Sequence, residues 1–218
     1  MSLPPASHFL PALQWKILRV RYPVLALGAL ALLAAWQLMA TRPLEWRPGT
    51  LVPDDPAQVN LENAPAFAFE DVRLTPRAEF NAEVRVLSRE RYWLGTFASV
   101  APLDIAVGWG PMSDSAALAH LDISQSGRFY FWHYDETPPI PPEAIITHSA
   151  NWHLVPASRS VWRTLRNLRV GSVVRLQGKL VDIEAADGAT LRTSLTREDS
   201  GAGACEVIYV QSATVRYH

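Results

Sequence analysis

The stretch Tyr22 to Thr41, YPVLALGALALLAAWQLMAT, constrains this chain more than any other feature, because it runs for about twenty residues without a charge. At ~1.5 Å per helical residue such a run covers the ~30 Å hydrocarbon core of a bilayer, so it predicts a membrane-spanning helix. Lys16, Arg19 and Arg21 stand just before it, whereas Arg42 and Arg47 after it are accompanied by Glu45, Asp54 and Asp55. Basic residues favour the cytoplasmic side. Residues 1–21 are therefore expected to be a cytoplasmic tail, 22–41 a single-pass signal anchor contacting the lipid bilayer, and the remainder extracytoplasmic, in the periplasm outside a bacterial inner membrane. A cleavable signal peptide is the rival reading, but the apolar stretch exceeds the usual ~7 to 15 residues, and Leu38 spoils the small-x-small pattern before Thr41. Trp15 and Trp46 suit the two headgroup layers, where an amphipathic indole is favoured.

Beyond the anchor, residues 42–66 contain Pro43, Pro48, Pro53, Pro56 and Pro65 and no sustained apolar period. Proline-rich segments run extended at ~3.1 Å per residue, so this is a linker, either a stalk or an arm wrapped on the domain that follows. From Phe67 to His218 the pattern changes to period two. Phe80, Ala82, Val84 and Val86 alternate with Asn81, Glu83 and Arg85, as a half-buried strand requires, and FAFEDVRL before them reads as another strand. RFYFWHY, Arg128 to Tyr134, is aromatic on both faces and predicts a strand covered on both sides. In VVRLQGKLVDIEAADGATLRTSL the alternation is regular and Asp187-Gly188 marks a hairpin turn. ACEVIYVQSATVRY supplies a last strand. Two short helices are expected, one near Asp114 to His120 capped by Ser113 or Asp114, the other near Ala157 to Leu168 with Val161, Leu165 and Leu168 as its apolar stripe.

The expected fold is therefore α+β, mainly β, with two short helices on a barrel-like domain large enough to bury a core without disulfides. The segment LRNLRVGSVVRLQGKLV, Leu165 to Val181, resembles the glycine-punctuated strand of OB-fold-type barrels, in which glycine permits sharp coiling of the sheet. GWGPMSD, SANWHLVP and ACEVIYV resemble motifs of uncharacterised membrane-anchored bacterial proteins, a resemblance that implies no activity.

Composition mostly excludes. A net charge of −1 over 218 residues argues against a dedicated nucleic-acid binder. Cys205 is the one cysteine, so it closes no intrachain disulfide and builds no thiolate metal site; a buried state among Val207 and Tyr209 on one strand face is expected. No zinc HExxH, phosphate-loop or dinucleotide motif occurs, and no cofactor or metal is expected.

Two stretches concentrate polar groups. In ITHSANWHLVP a strand places Ser149, Asn151 and His153 on one face and Trp152 on the other, a stripe that serves either to satisfy neighbouring backbone or to bind a ligand. In AVGWGPMSDS, Gly108 and Gly110 shape a turn around Trp109, and Asp114 opens a helix. Catalysis would require Ser149 or Cys205 as nucleophile, His133, His148 or His153 as base, and Asp114, Asp122 or Asn151 to orient it, with no complete signature present. Arg159, Arg163 and Arg166 form a basic helix face suited to anionic lipid headgroups or an acidic partner, although solvation is the default for a charged face opposite an apolar stripe. The reading that results is a non-enzymatic, membrane-anchored envelope protein that binds or assembles another envelope protein. Alternatives are an envelope hydrolase using Ser149 or Cys205 with a nearby histidine, and a binder of a small glycan, lipid or peptide in an aromatic pocket built on Trp109 and Trp152.

Overall fold

The computed structural model describes residues 24–35, 42–196, 201 and 203–216. Contacts divide the chain into Met1–Arg42 and Pro43–His218. In the first unit, residues 24–35 form helix α1, on which Val24, Leu25, Leu27, Leu30, Leu32 and Leu33 are exposed around the whole circumference. At ~1.5 Å per residue the described part of α1 accounts for about 18 Å. Among the described residues no helix is long and apolar enough to cross a membrane. The helix expected over 22–41 is thus seen only in its middle; positions 22, 23 and 36–41, like the tail 1–21, lie outside the described residues.

Pro43–His218 is mostly β. Its strands are β1 (Ala57–Asn60), β2 (Phe67–Phe69), β3 (Val72–Arg91), β4 (Leu103–Gly108), β5 (Asp122–Ser126), β6 (Phe129–His133), β7 (Ser149–Pro156), β8 (Val173–Ala185), β9 (Thr190–Leu191) and β10 (Glu206–Arg216). Its helices are α2 (Ser115–Leu118), α3 (Pro142–Thr147) and α4 (Arg159–Leu165). The two expected helices correspond to α2 and α4. Helix α3 begins at a proline and lacks a side-chain cap, which is why its sequence carries no start signal beyond Pro141-Pro142.

The main sheet runs β1-β3-β4-β7-β10-β8-β9, with β2 on β3, and β8 also pairs back to β3. It is not a clean barrel, since β1, β2 and β9 flank the path and the register slips at Pro76/Ala78, Val86/Ser88 and Val210/Ser212. The first slip falls at Pro76, whose missing N–H makes it tolerable in a strand only where the ladder is already broken. Long β3 serves as the spine because its alternation continues from Val72 to Val86, with one side buried throughout. Gly178 on β8 is a second sequence-specific point: a Cβ there would lie 2.0 Å from the Tyr209 carbonyl oxygen, so only glycine lets β8 and β10 approach so closely.

The core within this sheet collects Phe80, Leu103, Ile105, Trp109, Trp152 and Leu176, among others, each at most 4% exposed. The proline-rich residues up to Ala66 lie on it as a wrapped arm. Leu44 N–H donates to the Val170 carbonyl at 2.8 Å, the Trp46 indole to that of Gly171 at 2.7 Å, and Val52 is 2% exposed. β5 and β6 form a separate two-stranded sheet. RFYFWHY is therefore not the doubly covered strand its composition predicts. Tyr130 and Trp132 pack inward with Leu87, Met112 and Ile145, while Phe129 and Phe131 face outward, because a two-stranded hairpin has only one neighbouring layer to pack on.

Candidate functional site

Strand β7 carries the polar stripe, and its alternation sends the two faces to different places. Trp152 and Leu154 enter the main core, Trp152 meeting Phe80 edge-on at 5.3 Å. Ser149, Asn151 and His153 face the layer on which the β5–β6 hairpin lies. Asn151 accepts from Gln125 Nε2 at 2.6 Å and donates to the Arg128 carbonyl at 3.0 Å, both on the hairpin. The Ser149 hydroxyl donates to the Ile145 carbonyl at the end of α3 and accepts from Tyr130 Oη at 3.1 Å.

The hairpin is pinned at its tip. Gly127 and Arg128, both at positive φ (60° and 68°), make the turn from β5 to β6, the backbone that tight hairpins demand. An arginine is strained there, yet its guanidinium reaches Asp104 Oδ1 at 2.9 Å and the Ala101 carbonyl at 3.1 Å and lies 4.1 Å above the Tyr92 ring, while its N–H donates to Tyr92 Oη. Asp104, fully buried in β4, opposes His153 in register, and the other carboxylate oxygen lies 2.9 Å from His153 Nδ1. Neither of those two atoms makes an aligned hydrogen bond, so the contact is an ion pair rather than a directed bond. Burial alone pushes the His153 imidazole down; the neighbouring Asp104 carboxylate and Cys205 sulfur more than reverse this and raise it to about 9. The ring is cationic at neutral pH.

Cys205, half-buried just before β10, lies 3.6 Å from Asn151 Nδ2 and 3.8 Å from the Arg128 carbonyl oxygen, with the His153 ring beside it. The nucleophile–base–orienter arrangement present is thus Cys205, His153 and Asp104. The other candidates lie elsewhere. His148 Nδ1 contacts the Ala144 carbonyl at 3.0 Å and its ring packs over Gly110. His133 and Asp122 face each other in register on the exposed side of the hairpin. Asp114 accepts from the N–H groups of Gly49 and Ala116, both at 2.8 Å, which hold its carboxyl below the usual range, and so it caps α2 and fastens the arm. Trp109 and Trp152, expected to line an aromatic pocket, are 1% and 0% exposed and packed in the main core. Among the described residues no three His, Cys, Asp or Glu side chains converge to hold a metal.

The aromatic cavity lies instead under the hairpin. Phe129, Phe131, Ile146, Asn151, Ala204 and Cys205 are among its lining residues, and it encloses about 220 Å³. Of the residues the sequence singled out, Ser149, Asn151 and Cys205 line it, whereas the outward phenylalanines, and Asp104 and Arg128 beside it, were not singled out. One signal pointed to Asp104: in LDIAVG it is the sole charge in an otherwise apolar strand, and a buried carboxylate must be paired. Arg159, Arg163 and Arg166 are exposed on α4, as the helical spacing predicts, and lie apart from this cavity. No protein-family model, curated protein or solved structure matches the chain, and the functional reading rests on this geometry.

Proposed function

We propose that the protein is a non-enzymatic, membrane-anchored envelope module that binds or assembles another envelope protein, through a barrel of the OB type. The strand path β3-β4-β7-β10-β8 and back to β3, with β7 and β10 parallel, supports the barrel assignment, because that chain order is a Greek-key closure of five strands. The anchor reading draws on α1, apolar around its full circumference, a pattern that water disfavours and lipid accepts. The observation that carries the binding function is the outward face of the hairpin: Phe129 and Phe131 are 43% and 52% exposed beside a cavity, on an element fastened rigidly by Arg128. Exposed, preorganised aromatic rings over a cavity are the anchors that protein interfaces use. Phe129→Ser with Phe131→Ser in the full chain is expected to abolish recovery of the crosslinked partner while leaving unfolding unchanged; undiminished recovery would reject the reading.

A second reading has its own support in Cys205, His153 and Asp104. In a thiol hydrolase Cys205 Sγ, its proton held by His153, would attack an ester carbonyl to form a thioester, His153 returning the proton to the departing alkoxide. Water activated by His153 then breaks the C–S bond. With p-nitrophenyl acetate this predicts a burst of one p-nitrophenolate per chain and a matching acetyl adduct, both absent in Cys205→Ala. No burst at pH 7 sinks it.

A further inference from the structure

From Pro156 to Val181 the chain contains no aspartate or glutamate, yet this stretch holds Arg159, Arg163, Arg166 and Arg169. Arg159 and Arg163 on α4 and Arg166 at its C-cap are exposed, and none of the four, nor Arg91, makes an ion pair among the described residues. Arg159 and Arg163 are i, i+4 neighbours and Arg163 and Arg166 i, i+3 neighbours, and like charges so spaced repel, which an anionic counterpart relieves. Two hollows flank the helix. One, of about 490 Å³, is lined by Arg163, Arg169 and Arg216 with Thr164, Asn167 and Ser172 and by no carboxylate, although Arg216 also reaches Glu83 at 3.1 Å. The other contains Arg91, Trp93, Leu94, Arg159 and Trp162, with Glu70 as its one acid. In it the Arg91 guanidinium lies 3.7 Å above the Trp93 ring and 5.1 Å from that of Trp162, so the β3–β4 loop and α4 present one continuous surface. At the loop tip Trp93 and Leu94 are 71% and 89% exposed.

We infer that this surface, the arginine face of α4 together with the Trp93–Leu94 tip, docks onto the anionic phospholipid headgroups of a membrane. The inference rests on the membrane-anchored reading for the proximity of a bilayer, but its chemistry is its own. Arginines match phosphate oxygens bidentately, and the indole beside them favours the boundary between headgroups and acyl chains. The consequence is orientation: the domain would meet the bilayer through α4 and the Trp93–Leu94 tip.

The test uses the full chain reconstituted into vesicles of phosphatidylcholine alone and of phosphatidylcholine and phosphatidylglycerol in equal parts, with amide hydrogen exchange read over residues 90–99 and 158–170. One basic side chain near an anionic leaflet is worth about a factor of five, so exchange in both segments is expected to slow at least about fivefold in the anionic vesicles. Arg159→Ala with Arg163→Ala and Arg166→Ala should remove that difference while the unfolding midpoint stays in place. Equal exchange in the two vesicle types, or slowing that survives the triple substitution, overturns the inference. So does equal slowing by inorganic phosphate without vesicles, which would make the ligand a soluble anion. Release of the chain from both vesicle types by alkaline washing would defeat the anchor reading alone, because dependence on phosphatidylglycerol is scored separately.

Discussion

The two faces of β7 make opposite use of burial. Trp152 and Leu154, 0% exposed, fill space among other apolar side chains, and their stabilisation scales with area removed from water. Asn151 and His153, at 4% and 3% exposed, are nearly as deeply buried, yet each depends on a particular partner: Asn151 on Gln125 and Arg128, His153 on Asp104. The apolar face tolerates another shape of similar volume, whereas the polar face tolerates no missing partner, because an unpaired buried group bears its full desolvation cost. The polar stripe of SANWHLVP is in this light the fastening of a hairpin, whose free side carries the exposed Phe129 and Phe131.

Substitution separates these faces. Trp152→Ala should cost most, about 3 to 5 kcal/mol in denaturant unfolding, as large-to-small changes in a packed core do; a cost below about 1 kcal/mol would break the assignment of this face to the core. Asp104→Ala should follow at about 3 kcal/mol, since it strands the His153 and Arg128 cations, the low end applying because the Arg128 side chain is 21% exposed and can turn to water. The same pair fixes a pH dependence. The folded His153 titrates near 9 against an ordinary 6.5, so its contribution is complete below about 6.5 and is lost as pH rises through about 9. Wild-type stability should fall across that window, and the fall should be absent in His153→Gln. Asn151→Ala should cost about 1 to 2 kcal/mol, leaving Gln125 Nε2 without this acceptor and the Arg128 carbonyl with the weak Cys205 thiol contact. Smallest of all, Phe129→Ser with Phe131→Ser should change stability by less than about 0.5 kcal/mol, as exposed positions do. A larger loss would place these rings in the core.

Much of this contrast is legible in the sequence, though unevenly. Alternation over Phe80 to Val86 and over Val173 to Val181 marks β3 and β8 because one face of each is buried, and Asp187-Gly188 marks the turn after β8, where Gly188 has φ +83°. Parity placed Trp152 and Asn151 on opposite faces. Missing was what each face meets. FAFEDVRL looks continuous but breaks into β2 and β3 at Glu70, which takes φ +52° without a glycine to announce it. The aromatic richness of RFYFWHY reports affinity for strands, not the number of layers available to cover one. Asp104, His153 and Arg128 meet across strands far apart in sequence, and only the register of β4 against β7 and the twin positive φ values of the hairpin turn bring them together. The proline-rich arm carries no sustained apolar period, and its hydrogen bonds to Val170 and Gly171 are tertiary facts that no local pattern encodes.

The most direct test of the account is site-specific photocrosslinking in native membranes, with the photoreactive residue at Phe131 and, for comparison, at Val59, which is 66% exposed on β1 away from the hairpin. Partner recognition by the hairpin face predicts one discrete protein adduct from position 131 and none of that mass from position 59. No adduct at 131, or the same adducts from both positions, would contradict partner recognition by the hairpin face.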